Sequence, residues 1–250
     1  MRYHVLAGDA LAADLAKTKI DGDTIVCREA LIAGDVDSDS LPEFWDRRAR
    51  FIAAEYGEDE IVYHETVADE LSRLLDMESD DEVCLWFEYE LFCSANLWFC
   101  LWLLNETDAR VFRVQPIVRS EEDRWLGFGK LEPVDLVTCW DARVELSRDD
   151  VRFGADLWNA YRKGDFERLA ELSGRALPDF PYLSEVAAAA ADRSTRPAAI
   201  LAEIDLENAA DLTEIFPEFT RRAGVYGLGD LQVQRLLDQL SSSTSRASSS

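Results

Sequence analysis

Glu82 to Leu104 reads EVCLWFEYELFCSANLWFCLWLL, and this stretch decides the fold. Its first apolar run, Val83 to Phe87, has the length of a buried strand. Two carboxylates, Glu88 and Glu90, then interrupt it. From about Leu91 to Leu104 the chain is uncharged and rich in aromatics, enough for about four turns of helix. A strand that ends in carboxylates and passes into a helix is how open α/β sheets present groups to a ligand. The same letters argue against a membrane span. A span needs roughly 20 consecutive apolar residues, and the uncharged part from Leu91 is too short.

Upstream, Tyr3–Ala7 reads as a buried strand stopped by Gly8-Asp9. Ala10–Lys17 reads as a helix with Asp9 at its N-cap, and Thr24–Cys27 as a second strand ending in Arg28-Glu29. Strand, helix, strand within about thirty residues implies a right-handed parallel crossover. Pro42 opens a helix that runs to Tyr56, and Thr66–Met77 carries Val67, Leu71, Leu74 and Leu75 at helical spacing. Downstream, Arg110–Ile117 reads as a fourth strand, stopped at Pro116, whose missing amide suits a sheet edge or a strand end.

After residue 145 the pattern turns helical. Ser147–Tyr161 has a serine cap and Asp149-Asp150 in its first turn, complementing the helix dipole. Phe166–Leu172, Leu183–Ala191 and Leu231–Leu240 follow. The expectation is an α/β fold whose N-terminal part, residues 1–145, is a Rossmann-like, mostly parallel sheet of about four strands with flanking helices. An α-helical C-terminal region, 146–240, is expected to pack on it, and a serine-rich tail, 241–250, to be disordered.

Composition narrows the function. Lys+Arg is 26 and Asp+Glu is 50, a net charge of −24. Such a surface repels phosphate backbones and anionic lipid, so nucleic-acid and membrane partners are not expected. The five cysteines (Cys27, Cys84, Cys93, Cys100, Cys139) are odd in number, sit mostly in apolar runs and form no CxxC pair. With no signal peptide before Tyr3, they read as core thiols of a cytoplasmic protein. Only two histidines exist, too few for a histidine metal cage. His4, inside a strand, reads as a satisfied core residue, and His64 as an exposed loop residue. No GxGxxG follows Gly8, and neither GxxxxGK[ST] nor GxSxG occurs. Cys93 opens a helix, where the dipole lowers a thiol pKa, yet Phe92 and Leu97 beside it argue for burial.

The strand ends carry the chemistry: Asp9 after the first, Arg28 and Glu29 after the second, Glu88 and Glu90 after the third, Gln115 and Pro116 on the fourth. A strand order of 2-1-3-4 would set Asp9 and Glu88 across the point where the order reverses, the place for a ligand crevice. Asp9, Glu29, Glu88 and Glu90 are the catalytic candidates, because neighbouring carboxylates raise one another's pKa, so that one serves as acid and another as base. Asp9 and Glu88 are also candidate oxygen ligands for Mg²⁺. Arg28 would clamp an anionic group in two-pronged fashion. The plainer alternatives are a helix cap for Asp9 and an ion pair for Arg28.

His4-Val5-Leu6-Ala7-Gly8-Asp9, Cys27-Arg28-Glu29-Ala30-Leu31 with Gly34, Leu85-Trp86-Phe87-Glu88, Leu91-Phe92-Cys93, Asn96-Leu97-Trp98-Phe99 and Tyr226-Gly227 with Gly229-Asp230-Leu231-Gln232 together resemble the domain-of-unknown-function 1835 family of bacterial proteins. Gly127-Phe128-Gly129 and Phe180-Pro181-Tyr182-Leu183 extend the likeness over nearly the whole chain. The resemblance implies an uncharacterised family and transfers no activity. The chain departs from the family pattern at Glu90, where Asp is usual, and at Ser94, where Gln is usual. Gly8, Arg28 and Asn96 complete the expected site as ligand-binding positions. Two functions follow as expectations. One is a small polar or phosphorylated ligand bound at the strand ends, with Mg-assisted hydrolytic or transfer chemistry. The other is a noncatalytic regulatory module that docks a protein partner through residues 146–240.

Overall fold

The computed structural model describes residues 1–175, 177–208 and 212–247. Five strands form one sheet: β1 (Arg2–Leu6), β2 (Asp23–Val26), β3 (Glu82–Trp86), β4 (Arg110–Val114) and β5 (Val144–Glu145). Their order is β2-β1-β3-β4-β5; the first four are parallel and β5 runs antiparallel to β4. The order reverses between β1 and β3. The sheet thus has a fifth strand beyond the expected four, and β5 is two residues long, too short to carry a period of its own.

Period-two alternation sorts the strand residues onto two buried faces. Val5, Ile25, Val83, Leu85 and Val111 join the larger core, which also holds the Leu91–Leu104 helix. Leu6, Cys84, Trp86, Phe112 and Val114 join a smaller core with Leu11, Leu15, Phe128, Leu136 and Cys139. His4 is fully buried in that second layer. Its Nδ1 accepts from the Trp86 indole at 3.0 Å and its Nε2 lies 3.1 Å from the Asp21 carbonyl, so the ring is neutral with its proton on Nε2. Burial lowers its pKa accordingly.

The outer edge of β2 is blunted by side chains. The Val26 amide donates to Glu70, and Arg73 donates to the Thr24 carbonyl. Both come from a helical run that passes through a π turn, His64–Ala68, before ending at Asp76. His64 is not in a loop; it opens that turn and lies 3.4 Å from Asp46. A helix over Pro133–Asp141 precedes β5.

Beyond β5 the long elements described are all helices: Arg148–Arg162, Phe166–Ser173, Leu183–Asp192, Arg196–Asn208, Leu212–Ala223 and Asp230–Ala247. The last helix runs through seven residues of the serine-rich stretch, and residues 248–250 lie outside those described. The helix Arg148–Arg162 lies directly on the central one. A Cβ on Gly154 would fall within the Leu101 side chain, so only glycine permits that approach. Among the described residues no helix is long and apolar enough to cross a membrane.

Candidate functional site

The central helix begins where it does because Glu90 caps it: its Oε2 accepts from the Cys93 amide at 2.9 Å. Two residues earlier, just past β3, Glu88 Oε1 accepts from the Phe128 amide at 2.6 Å. Phe128 belongs to a short 3₁₀ turn, Gly127–Lys130. Gly127 has φ +57° and Gly227 has φ +69°, left-handed values that glycine adopts without a Cβ penalty. A Cβ on Gly127 would strike the Glu88 carboxyl, and one on Gly227 would strike the Glu90 carboxyl. One glycine comes from the sheet-bearing half and the other from the helical half. Gly224, where a Cβ would stand 3.0 Å from Trp125 Cβ, brings the two covering segments together.

The result is a cluster in which carboxylate oxygens of Glu88 and Glu90 and the sulfur of Cys93 lie within 4.8 Å of one another. Glu90 is 3% exposed and Glu88 is partly exposed. Burial pushes the Glu88 carboxyl up to about 7, against the pull of the Phe128 and Gly129 amides. Burial and the neighbouring Glu88 charge push Glu90 up to about 8, against the Cys93 and Phe92 amides. Two like charges this close cannot both ionise cheaply, so the titration belongs to the pair. Burial and these carboxylates raise the Cys93 thiol well above its usual range. Cys93 therefore keeps its proton, and its place at a helix start does not activate it. Two carboxylates and a protonated thiol are a poor donor set for Mg²⁺, which takes oxygen ligands.

The other expected residues are placed elsewhere. Asp9 is not an N-cap: Gly8 holds that position, and the Asp9 side chain makes no cap bond. Arg28 takes it instead, with Nε 3.1 and 3.0 Å from its two oxygens and Nη2 at 2.7 Å. That pair is solvent-facing, with Asp9 69% exposed. Among the described residues the donor group that includes Glu88 is completed by Glu90 and Cys93, and Asp9 is not part of it. Gly8 (φ +96°) has open space where a Cβ would stand.

Glu29 turns into the core. It accepts from Arg48 through both oxygens, at 3.2 and 2.9 Å, and from the Tyr63 hydroxyl. That network is sealed by burial, and Glu29 is not part of the group formed by Glu88, Glu90 and Cys93. Asn96 Nδ2 donates to the Glu29 carbonyl at 2.9 Å, tying the end of β2 to the central helix, and its Oδ1 meets no partner.

Several residues of this region carry no chemistry in a sequence motif. Gly127 and Gly227 matter through their backbone angles, and the signal for them was the pair of glycine motifs around them. Among the described residues Tyr182, at φ +58°, is the non-glycine residue in left-handed backbone. Its ring meets Tyr89 at 5.4 Å and Trp125 at 5.5 Å, both edge to face. A cavity of about 310 Å³, lined by Ile117, Arg119, Leu126, Gly127 and Lys130 among others, shares Gly127 with the cover of Glu88. Comparison of this chain with protein-family models, with curated proteins and with solved structures finds no match.

Proposed function

We propose that the chain binds a small polar ligand at the carboxyl edge of its sheet, and that Glu88 and Glu90 act on it as a proton-sharing acid pair. The observation that carries this reading is the convergence of the two carboxyls beneath Gly127 and Gly227, beside the point where the strand order reverses. One carboxyl holds a proton near neutral pH and donates; the other is charged and accepts. That division is what general acid–base transfer requires of two neighbouring groups. Glu88, the more exposed of the two, is the one that meets the ligand, and the cavity beside Gly127 has the volume of a small-molecule site.

The order of the parallel strands supports a Rossmann-like reading of the sheet, and the glycine motifs over the two carboxyls are those that resemble the domain-of-unknown-function 1835 family. The helical region is better read as part of this site than as a free docking module, since Gly227 belongs to it and closes over Glu90. Carboxyl-observed NMR titration tests the proposal. At least one glutamate should titrate with a midpoint above pH 6, and Glu88→Gln should shift the remaining one downward. Two midpoints near the ordinary glutamate value would end the acid-pair reading.

A further inference from the structure

Among the described residues two arginines are withdrawn from solvent, and they differ in how they are satisfied. Arg48, 0% exposed, makes bonds through every nitrogen: Nε and Nη2 to Glu29, Nη1 to the Ala33 carbonyl at 2.6 Å, and Nη2 also to the Ala30 carbonyl at 3.1 Å. Arg113, 3% exposed, does not. Its Nη2 reaches the Glu88 carbonyl at 3.3 Å, while Nε and Nη1 meet no acceptor. Its register partner on β3 is Leu85, on the face that packs the central helix. No carboxylate among the described residues lies within ion-pair distance of it. Asp179 bears on it only as a more distant charge, alongside Tyr89 and Cys93. A buried, uncompensated guanidinium costs several kcal/mol unless something supplies the missing acceptors.

We infer that Arg113 is the anchor for a small oxyanion, a carboxylate or phosphate group, taken up between Tyr89 and the segment Asp179–Tyr182. One Nη2 proton is engaged by the Glu88 carbonyl, which leaves one two-pronged fork whole, pairing the other Nη2 proton with Nε or Nη1 and matching a pair of anion oxygens. Tyr89 and Asp179 both bear on the Arg113 charge, and Tyr89 meets the ring of the positive-φ Tyr182 edge to face. In a chain of net charge −24 this is a cation with no acid of its own. The anchor is independent of the Glu88–Glu90 proton pair.

The test is thermal unfolding and titration calorimetry of the full chain with sodium phosphate and with sodium acetate, against sodium chloride at equal ionic strength. Expected is a saturable rise in Tm with one of the two oxyanions beyond the chloride control; which one distinguishes the phosphate from the carboxylate. The rise should vanish in Arg113→Met, persist in Glu88→Gln, and strengthen in Asp179→Asn, which removes a competing charge. Arg113→Met should also melt higher than the parent without anion, because an unpaired buried charge is gone. Equal anion responses in the parent and Arg113→Met would overturn the inference. So would matched destabilisation by Arg113→Met and Asp179→Asn, which would make Asp179 the partner. Should Arg113→Met fail to fold, the decision falls to Asp179→Asn and calorimetry of the parent, where absence of saturable heat overturns the inference. If both glutamates titrate near the ordinary value while the parent keeps a saturable anion response that Arg113→Met loses, the acid pair falls and the anion anchor stands.

Discussion

Gly227 stands over the Glu90 carboxyl so closely that any side chain there would occupy the space of Glu90 itself. Its φ of +69° adds a second reason for glycine. Gly227→Ala should therefore cost about 2 kcal/mol or more, of which about 1–2 comes from left-handed backbone and the rest from the displaced carboxylate. A double-mutant cycle separates the two. On a Glu90→Ala background the steric part disappears, so Gly227→Ala should cost only the backbone part. Equal costs on both backgrounds would show that the glycine does not cover Glu90.

The raised carboxyls make stability depend on pH with a definite sign. Unfolded glutamate titrates near 4.3, whereas Glu88 and Glu90 hold their protons to about 7 and about 8. Between those values the native state binds protons that the unfolded chain has released, so stability falls as pH rises and levels off above about 8. The groups that face the pair are Cys93, which stays protonated, and the backbone amides of Phe92, Cys93, Phe128 and Gly129. Glu88→Gln removes one titration and the repulsion that raises the other. Urea unfolding from pH 5 to 8.5 should show a flatter profile for the variant, with a relative gain on the order of 2 kcal/mol at the alkaline end. Parallel profiles would mean the carboxyls are solvated.

The stretch from Glu82 to Leu104 announced its strand, its carboxylate break and its helix because each is written as a run of residues with one character. The reversal between β1 and β3 entered only as an assumed order of 2-1-3-4, because crossover handedness does not fix on which side of β1 the third strand adds. The structure has that order. Side-chain partners were not legible. Arg28 sits beside Glu29 in sequence, yet it pairs with Asp9, while Glu29 turns inward to Arg48 from another helix. Adjacent residues at a strand end face opposite ways, so charge adjacency in the sequence is a poor guide to contact. The Pro133–Asp141 helix shows little apolar pattern, as only Leu136 and Cys139 are buried. Its start is marked instead by Pro133 and by Asp135, which accepts from the Glu132 amide. Arg113 was visible as a charge inside the otherwise apolar strand RVFRV, but nothing in the letters says that its nitrogens lack acceptors.

The two arginine–carboxylate pairs at the end of β2 should differ sharply in what their loss costs. Arg48→Met leaves Glu29 buried without its cation, at a cost of about 3–5 kcal/mol. Replacing both, as Arg48→Met with Glu29→Leu, should recover part of that loss, since no charge then remains in the core. Arg28→Ala removes a solvent-facing pair and should cost under about 1 kcal/mol. Denaturant unfolding at neutral pH ranks the three variants. A large loss from Arg28→Ala would show that its bond to the Thr66 carbonyl, at 3.0 Å, holds the π turn in place.

Gly154 sets the distance between the central helix and Arg148–Arg162, the first helix of the half that delivers Gly227. In an exposed helix, Gly→Ala gains about 1 kcal/mol from propensity. Here the added methyl falls on the Leu101 side chain, and overpacking of that kind costs about 1–3 kcal/mol. The two effects oppose, and the clash with a fully buried leucine should prevail, leaving Gly154→Ala net destabilised by about 1 kcal/mol. Leu101→Ala opens a cavity, and the new methyl partly fills it. The double variant should therefore be less damaged than the sum of the two singles, by an interaction term of at least about 0.5 kcal/mol. A stabilised Gly154→Ala, or strict additivity with Leu101→Ala, would place the helices farther apart than the contact between Gly154 and Leu101 requires.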